Sequence, residues 1–155
     1  MAQKAPDFNL QDQDGSYKSL KDYEGHWLVL YMYPRDDTPG CTAEACAFRD
    51  ERDVIASVTK ATVVGVSKDS VASHKKFADK YHLNFTLLSD PDHSTLEAYG
   101  AWGPRKFMGR DFFGTLRNTY IINPASKIVK KYFGTDPRTH AREIIKDLKR
   151  LQASA

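Results

Sequence analysis

Hydrophobic and polar positions follow two rhythms along this chain, a period of two and a period near 3.6, and they take turns. Phe8 to Leu10 alternates, Gln11 to Gly15 carries an Asp-Gly turn signal, and Tyr17 to Leu20 resumes. This predicts a short N-terminal β-hairpin. Trp27 to Tyr33 (WLVLYMY) is continuously apolar, which suits a strand buried on both faces and ended by Pro34. After the loop Arg35-Asp36-Asp37 the pattern predicts a helix to about Ser57, then a second buried strand over Thr62 to Val66. Val71, His74, Phe77, Ala78 and Tyr81 fall at helical spacing and predict a crossover helix. A short strand over Phe85 to Leu88 stops at Ser89-Asp90-Pro91, and a short helix follows around Thr95 to Tyr99. Gly100 to Gly114, rich in glycine and aromatics, reads as a loop. Asn118 to Ile122 and Ile128 to Phe133 predict two strands joined by a turn at Asn123-Pro124. Arg138 to Leu151 predicts an amphipathic closing helix with Ala141, Ile144, Ile145 and Leu148 inward. Strands and helices alternating at these lengths predict an α/β layer fold.

Composition changes the picture mainly by exclusion. The 155 residues suit one domain spanning residues 1–155, without linker, repeat or low-complexity segment. A hydrophobic share of 41% and a charged share of 28% exclude a disordered or fibrous chain. Net charge is +3, with both signs interspersed. That balance does not point to a nucleic-acid partner. The opening MAQKAPDFNL has no apolar signal region and no apolar run approaches membrane-spanning length, so the expectation is a soluble, cytoplasmic protein. Two cysteines five residues apart would cross-link almost nothing as a structural disulfide. In a reducing compartment such a pair is more often chemical.

The chemistry concentrates in YPRDDTPGCTAEACAFR, Tyr33 to Arg49. Thr38-Pro39 fits an N-cap followed by proline at the first helical position, which places Cys41 in the first turn. Unpaired N–H groups and the positive end of the helix dipole favour an anion there, and a thiolate is such an anion. Asp36 and Asp37 oppose it, so a cation is required near the sulfur, from Arg35 or from an arginine elsewhere. In an ideal helix, residues five apart have Cα atoms roughly 8.7 Å apart, whereas a disulfide needs them within about 7 Å. Cys41 and Cys46 therefore cannot bond while the helix is intact. Cys46 also lies about 160° around the helix from Phe48, which with Ile55 marks the buried stripe, so it faces solvent. Spacing alone leaves open that the two thiols are unrelated. Two cysteines without a clustered histidine pair do not complete a tetrahedral metal site.

The segment PRDDTPGCTAEACAFRD resembles the active-site signature of the peroxiredoxins, most of all the bacterioferritin-comigratory-protein or Q-type subfamily. The resemblance spans essentially the whole chain, including the PDFNL opening, the SDP stretch and Arg117-x-Thr119. It implies a thioredoxin-like fold, a central mixed β-sheet flanked by helices with an N-terminal hairpin. It also implies reduction of hydrogen peroxide or organic hydroperoxides without metal, flavin or haem. By the same resemblance Cys41 is the peroxide-attacking cysteine and Cys46 the resolving one. Thr38 contacts peroxide and thiolate, Pro34 shields the sulfur, Arg117 pairs with it, and Glu44 holds that arginine. Thioredoxin or a similar dithiol would be the reductant. An intramolecular resolving pair needs no second subunit, so a monomer is expected, with neither nucleic acid nor membrane as partner. Met32, where relatives usually carry Phe, and Asn123-Pro124-Ala125-Ser126, in place of Asp-Pro-x-Gly, depart from the pattern.

Plainer readings stand beside these. Thr38 could act only as a helix cap, and Arg117 could be a solvated charge. The five histidines (26, 74, 82, 93, 140) show no ligand spacing and read as surface or packing residues. Trp102, Phe107, Phe112 and Phe113 read as a packing element rather than a substrate collar. The basic residues of the closing helix (Arg138, Arg142, Lys146, Lys149, Arg150) read as a solvated face. Two other functions use the same cysteines: a thioredoxin-like thiol–disulfide exchanger, and a redox-sensing binding module.

Overall fold

The unbroken apolar run at Trp27–Tyr33 has a physical cause: both of its faces are covered. In the computed structural model, which describes residues 3–153, this run is the centre of the sheet. In chain order the elements are β1 (Gln3–Lys4), β2 (Asn9–Gln11), β3 (Tyr17–Ser19), β4 (Trp27–Met32), α1 (Pro39–Val58), β5 (Ala61–Ser67) and α2 (Val71–Tyr81). They continue with β6 (Thr86–Ser89), α3 (Ser94–Ala98), β7 (Trp102–Phe107), β8 (Arg110–Thr115), β9 (Thr119–Ile122), β10 (Lys127–Tyr132) and α4 (His140–Ala153). The main sheet has the order β1-β10-β9-β4-β5-β6-β2-β3. β4, β5 and β6 run parallel, joined by the crossover helices α1 and α2, and β9 runs antiparallel to β4.

Period-two geometry splits the central strand between two cores. Val29, Tyr31 and Tyr33 face a cluster with Phe48 and Ile55 of α1, Phe77 of α2, and Ile144 and Leu148 of α4. Leu28, Leu30 and Met32 face another, with Val64, Val66, Leu88, Leu96 and Ile122. Each of these side chains contributes roughly 1.5–3 kcal/mol by leaving water. Of the closing-helix residues predicted inward, Ala141, Ile144 and Leu148 are buried and Ile145 is half-buried, while the five basic residues face outward as expected. Among the described residues no helix is long and apolar enough to cross a membrane.

The N-terminal hairpin forms as predicted, with Asn9 opposite Ser19 and the Asp12 carboxylate accepting the N–H groups of Asp14 and Ser16 across the turn. The segment Gly100 to Gly114 departs from its expected loop. It is a second, separate hairpin, β7 with β8, closed by Met108-Gly109. Both turn residues have positive φ, 53° and 77°, the backbone of a two-residue hairpin turn. It carried no alternating pattern because β8 buries almost nothing: of RDFFGT only the last residue is buried. Phe112 and Phe113 stand 45% and 69% exposed, so they are not the packing element expected of them. Trp102 is half-buried against a core cluster, and the Phe107 side chain lies outside what is described.

Candidate active site

The central strand ends at Tyr33, and the loop from Pro34 turns into α1 at the C-terminal end of the parallel strands, where open α/β sheets leave a crevice. Thr38 takes the extended backbone of an N-cap, φ −102° and ψ 156°, with Pro39 as the first helical residue. The first helical bond runs from the Thr42 N–H to the Thr38 carbonyl at 2.8 Å. Cys41 is therefore the third residue of the helix, and it is 1% exposed. The Thr38 side chain does no capping. Its Oγ1 donates to the Arg35 carbonyl at 3.0 Å, inside the loop.

The cation comes from far along the chain. Arg35 is exposed. Arg117, just before β9, places Nη2 3.3 Å from Cys41 Sγ and donates from Nη1 to Glu44 Oε1 at 2.9 Å. Glu44 is 1% exposed and its other oxygen accepts from Thr135 Oγ1 at 3.1 Å. The Thr135 N–H in turn donates to the Arg117 carbonyl at 3.2 Å, so the loop after β10 braces both partners. Burial pulls the Arg117 guanidinium down, but the neighbouring Cys41 and Glu44 outweigh it and hold it above its ordinary value. Gly40 leaves room for the approach, since a Cβ there would sit 3.2 Å from Arg117 Nη2, a tight contact from which the guanidinium would have to draw back by a few tenths of an ångström.

Burial pushes the Glu44 carboxyl up to about 7, against the opposing pull of Arg117 and the Thr135 hydroxyl. A carboxyl raised above its ordinary 4.5 binds its proton more tightly in the folded state than in the unfolded one. The stability tied to that proton is fully present below pH 4.5 and is lost as pH rises through about 7. Urea unfolding should therefore show the native chain losing ground to Glu44→Gln between pH 4.5 and about 7. A flat difference, or one of opposite slope, would contradict this assignment.

Of the six residues expected at the site, the structure joins Cys41, Arg117 and Glu44 by direct contacts and sets Thr38 at the head of the same helix. Pro34 is half-buried at the loop's entrance. Cys46 lies two turns into an α1 that is unbroken from Pro39 to Val58, and both thiols are free. Cys46 is half-buried rather than turned fully to solvent. Phe48 and Ile55 are buried as predicted. Thr135 and Gly40 carry no local signal in the sequence: Thr135 matters through Glu44 and Arg117, and Gly40 through Arg117, partners that only the fold brings to them. A groove of about 520 Å³ opens beside Arg117, lined by Arg105, Lys106, Leu116, Phe133 and Thr135 among others.

A mixed sheet flanked by helices, with a buried thiol under an arginine at a helix N-terminus, is an arrangement suited to thiolate chemistry. Residues 1–131 match the AhpC/TSA family model, and the chain belongs to that family. Within it the chain is a peroxiredoxin of the Bcp, or Q, type. It is 40% identical over 149 residues to peroxiredoxin Bcp of Bacillus subtilis, covering 96% of this chain and 94% of that one. Peroxiredoxin Bcp of Escherichia coli is 43% identical over 124 residues, covering 80% and 79%. Among solved structures, a cysteine-to-serine mutant of PrxQ from Xylella fastidiosa superposes with a TM-score of 0.89 at 31% identity, covering 98% of each chain. The bacterioferritin comigratory protein of Xanthomonas campestris, studied for alkyl peroxide reduction, superposes at 0.87 with 31% identity over 92% and 90%.

Proposed function

We propose that Cys41 is the nucleophile of this thiol peroxidase, acting on hydrogen peroxide and organic hydroperoxides, and that Cys46 resolves it. The observation that carries this reading is the 3.3 Å contact of Cys41 Sγ with Arg117 Nη2 at the opening turn of α1. The Cys41 thiolate attacks the distal peroxide oxygen, the O–O bond breaks, and the leaving oxygen takes a proton to depart as water or an alcohol. Cys41 is left as a sulfenic acid. In this reading Arg117 stabilises charge on both the sulfur and the leaving oxygen, and the Thr38 hydroxyl orients the peroxide. The Cys46 thiol then condenses with the sulfenic acid, releasing water and forming a disulfide, after the first turns of α1 unwind. An external dithiol of the thioredoxin type reduces that disulfide through a mixed disulfide and is itself oxidised. Because both cysteines sit on one helix, one chain completes the cycle, which supports a monomer acting in a reducing, cytoplasmic setting.

A coupled assay with thioredoxin, its reductase and NADPH tests the cycle. Sustained peroxide consumption is expected. A single oxidation that then stops, or reduction of insulin disulfides without peroxide turnover, would overturn it.

Thr38 supplies a separate check. Since its side chain does not cap the helix, Thr38→Val should remove only one exposed hydrogen bond, worth about 1 kcal/mol. That corresponds to a melting shift of roughly 2–4 °C, while the peroxide rate should fall about tenfold or more. Thr38→Ser should retain most of that rate. A valine variant reacting at the native rate in stopped flow would reduce Thr38 to a structural role.

A further inference from the structure

The loop that delivers Thr38 and Cys41 is held from behind by a buried polar cluster that the chemistry above does not use. Asp36 is 7% exposed, and its carboxylate accepts from the Tyr33 hydroxyl at 2.6 Å and from Ser73 Oγ at 2.8 Å. His74 Nδ1 lies 2.7 Å from the same carboxylate, and His74 has no exposed surface. Its other nitrogen, Nε2, is 2.9 Å from the Leu88 carbonyl oxygen. A carbonyl oxygen only accepts, so Nε2 carries a hydrogen. Between Nδ1 and a carboxylate oxygen at hydrogen-bond distance there must be a second proton, because two lone pairs do not approach so closely. Wherever along that line the proton sits, the pair as a whole is neutral.

The groups around the pair agree with this count. From the end of β4, Tyr33 faces it as a donor, with burial and then the neighbouring Tyr31 and Asp36 holding the phenol protonated. From α2, Ser73 donates. From the loop before α2, Asp69 spends its carboxylate on the Asp36 N–H at 2.9 Å and the Ser67 hydroxyl at 2.6 Å. The ligand atoms of Asp36, Asp69 and His74 lie within 4.8 Å of one another, but each already has its hydrogen-bond partner. Hydrogen bonding accounts for the cluster. The next residue, Asp37, holds φ 57°, which side chains other than glycine seldom adopt unless their surroundings enforce it. Its carboxylate takes Lys80 Nζ and the Tyr81 hydroxyl, both at 2.8 Å. Thus α2 pins both loop aspartates. It offsets the charges of both loop aspartates, that of Asp37 with Lys80 at the surface and that of Asp36 with the proton shared with His74 inside.

We propose that the proton shared by His74 and Asp36 positions the Thr38–Cys41 turn and keeps uncompensated negative charge away from the nucleophile, which makes His74 a positioning residue for the peroxide reaction. The inference rests on the function proposed above. Without the shared proton the buried Asp36 carboxylate keeps its hydrogen bonds from Tyr33 and Ser73 but carries a charge with no counter-charge, which is costly in place and adds negative charge to the loop that leads into Cys41.

The test is the second-order rate of Cys41 oxidation by hydrogen peroxide in fully reduced protein, native chain first. His74→Gln leaves the charge and removes the proton, and should slow the reaction about tenfold or more. Asp36→Asn with His74→Gln removes the charge as well, and should recover the rate to within about threefold of native. Asp36→Asn alone lets the amide donate to a neutral His74, and should cost less than about threefold. Packing alone predicts no such recovery, so a double variant as slow as His74→Gln overturns the proposal. So does a His74→Gln chain that reacts at the native rate. Should His74→Gln fail to fold, the double variant decides: folded and near-native in rate, it supports the proposal, and slow or unfolded, it overturns it. A native chain inert to peroxide would instead overturn the function itself and this inference with it.

Discussion

Substituting Leu for Arg117 is expected to slow oxidation of Cys41 by hydrogen peroxide about 100- to 1000-fold, the range seen when one preorganised donor to developing negative charge is removed. The guanidinium touches both the sulfur and the buried Glu44 carboxylate, at 3.3 Å and 2.9 Å. Arg117→Lys should fall between native and leucine. It keeps a charge but loses the planar fork that reaches sulfur and carboxylate together. The leucine variant also strands Glu44 in the interior, so its melting temperature should drop, least at acid pH where that carboxyl is protonated. Stopped-flow oxidation of the reduced variants checks the rate directly. A leucine variant within about threefold of native would mean that the helix terminus alone sustains the thiolate.

Replacing Cys46 by Ser should separate the two halves of the cycle. The first oxidation of Cys41 should stay near the native rate, because the hydrogen bond to the nucleophile comes from Arg117, itself held by Glu44, and Cys46 takes part in neither contact. Thioredoxin-linked turnover should fall to background unless a small thiol is added, and continued peroxide should carry Cys41 on to sulfinic acid. The cause is geometric. Within an intact α1 the two Cα atoms stand roughly 8.7 Å apart, beyond the reach of a disulfide. Bond formation must therefore unwind the first turns and pull Glu44, which lies between the cysteines, out of its contacts with Arg117 and Thr135. Hydrogen exchange over residues 42–46 should be faster in the oxidised chain than in the reduced one. Full protection of α1 in a disulfide-bonded chain would contradict the spacing argument.

The parts of this molecule that were legible in its sequence are those governed by local rules. The doubly buried strand β4 shows itself as an unbroken apolar run, and Thr38-Pro39 marks the start of α1 to the residue. The hairpin β7–β8 stayed hidden because it packs little of itself against the body of the fold, so burial imprinted no alternation on it. The site was legible as a motif but not as a geometry. Family resemblance named Arg117 and Glu44, while nothing local pairs residues 73 positions apart, and Thr135 reaches Glu44 from 91 positions away. His74 shows the same gap. Its helical spacing placed it correctly on the inner face of α2, but a buried histidine reads as packing until the carboxylate of Asp36, 38 residues away, is found against it.

The central claim is that Cys41 receives the oxygen and Cys46 then bonds to it. Peptide mass mapping settles both after reduced protein has met one equivalent of hydrogen peroxide, run on the native chain and on Cys46→Ser in the presence of dimedone. The native chain should yield a Cys41–Cys46 disulfide and no other modified residue, and the variant should carry a single dimedone adduct on Cys41. An adduct on any other residue, or an oxidised native chain without that disulfide, would contradict the account.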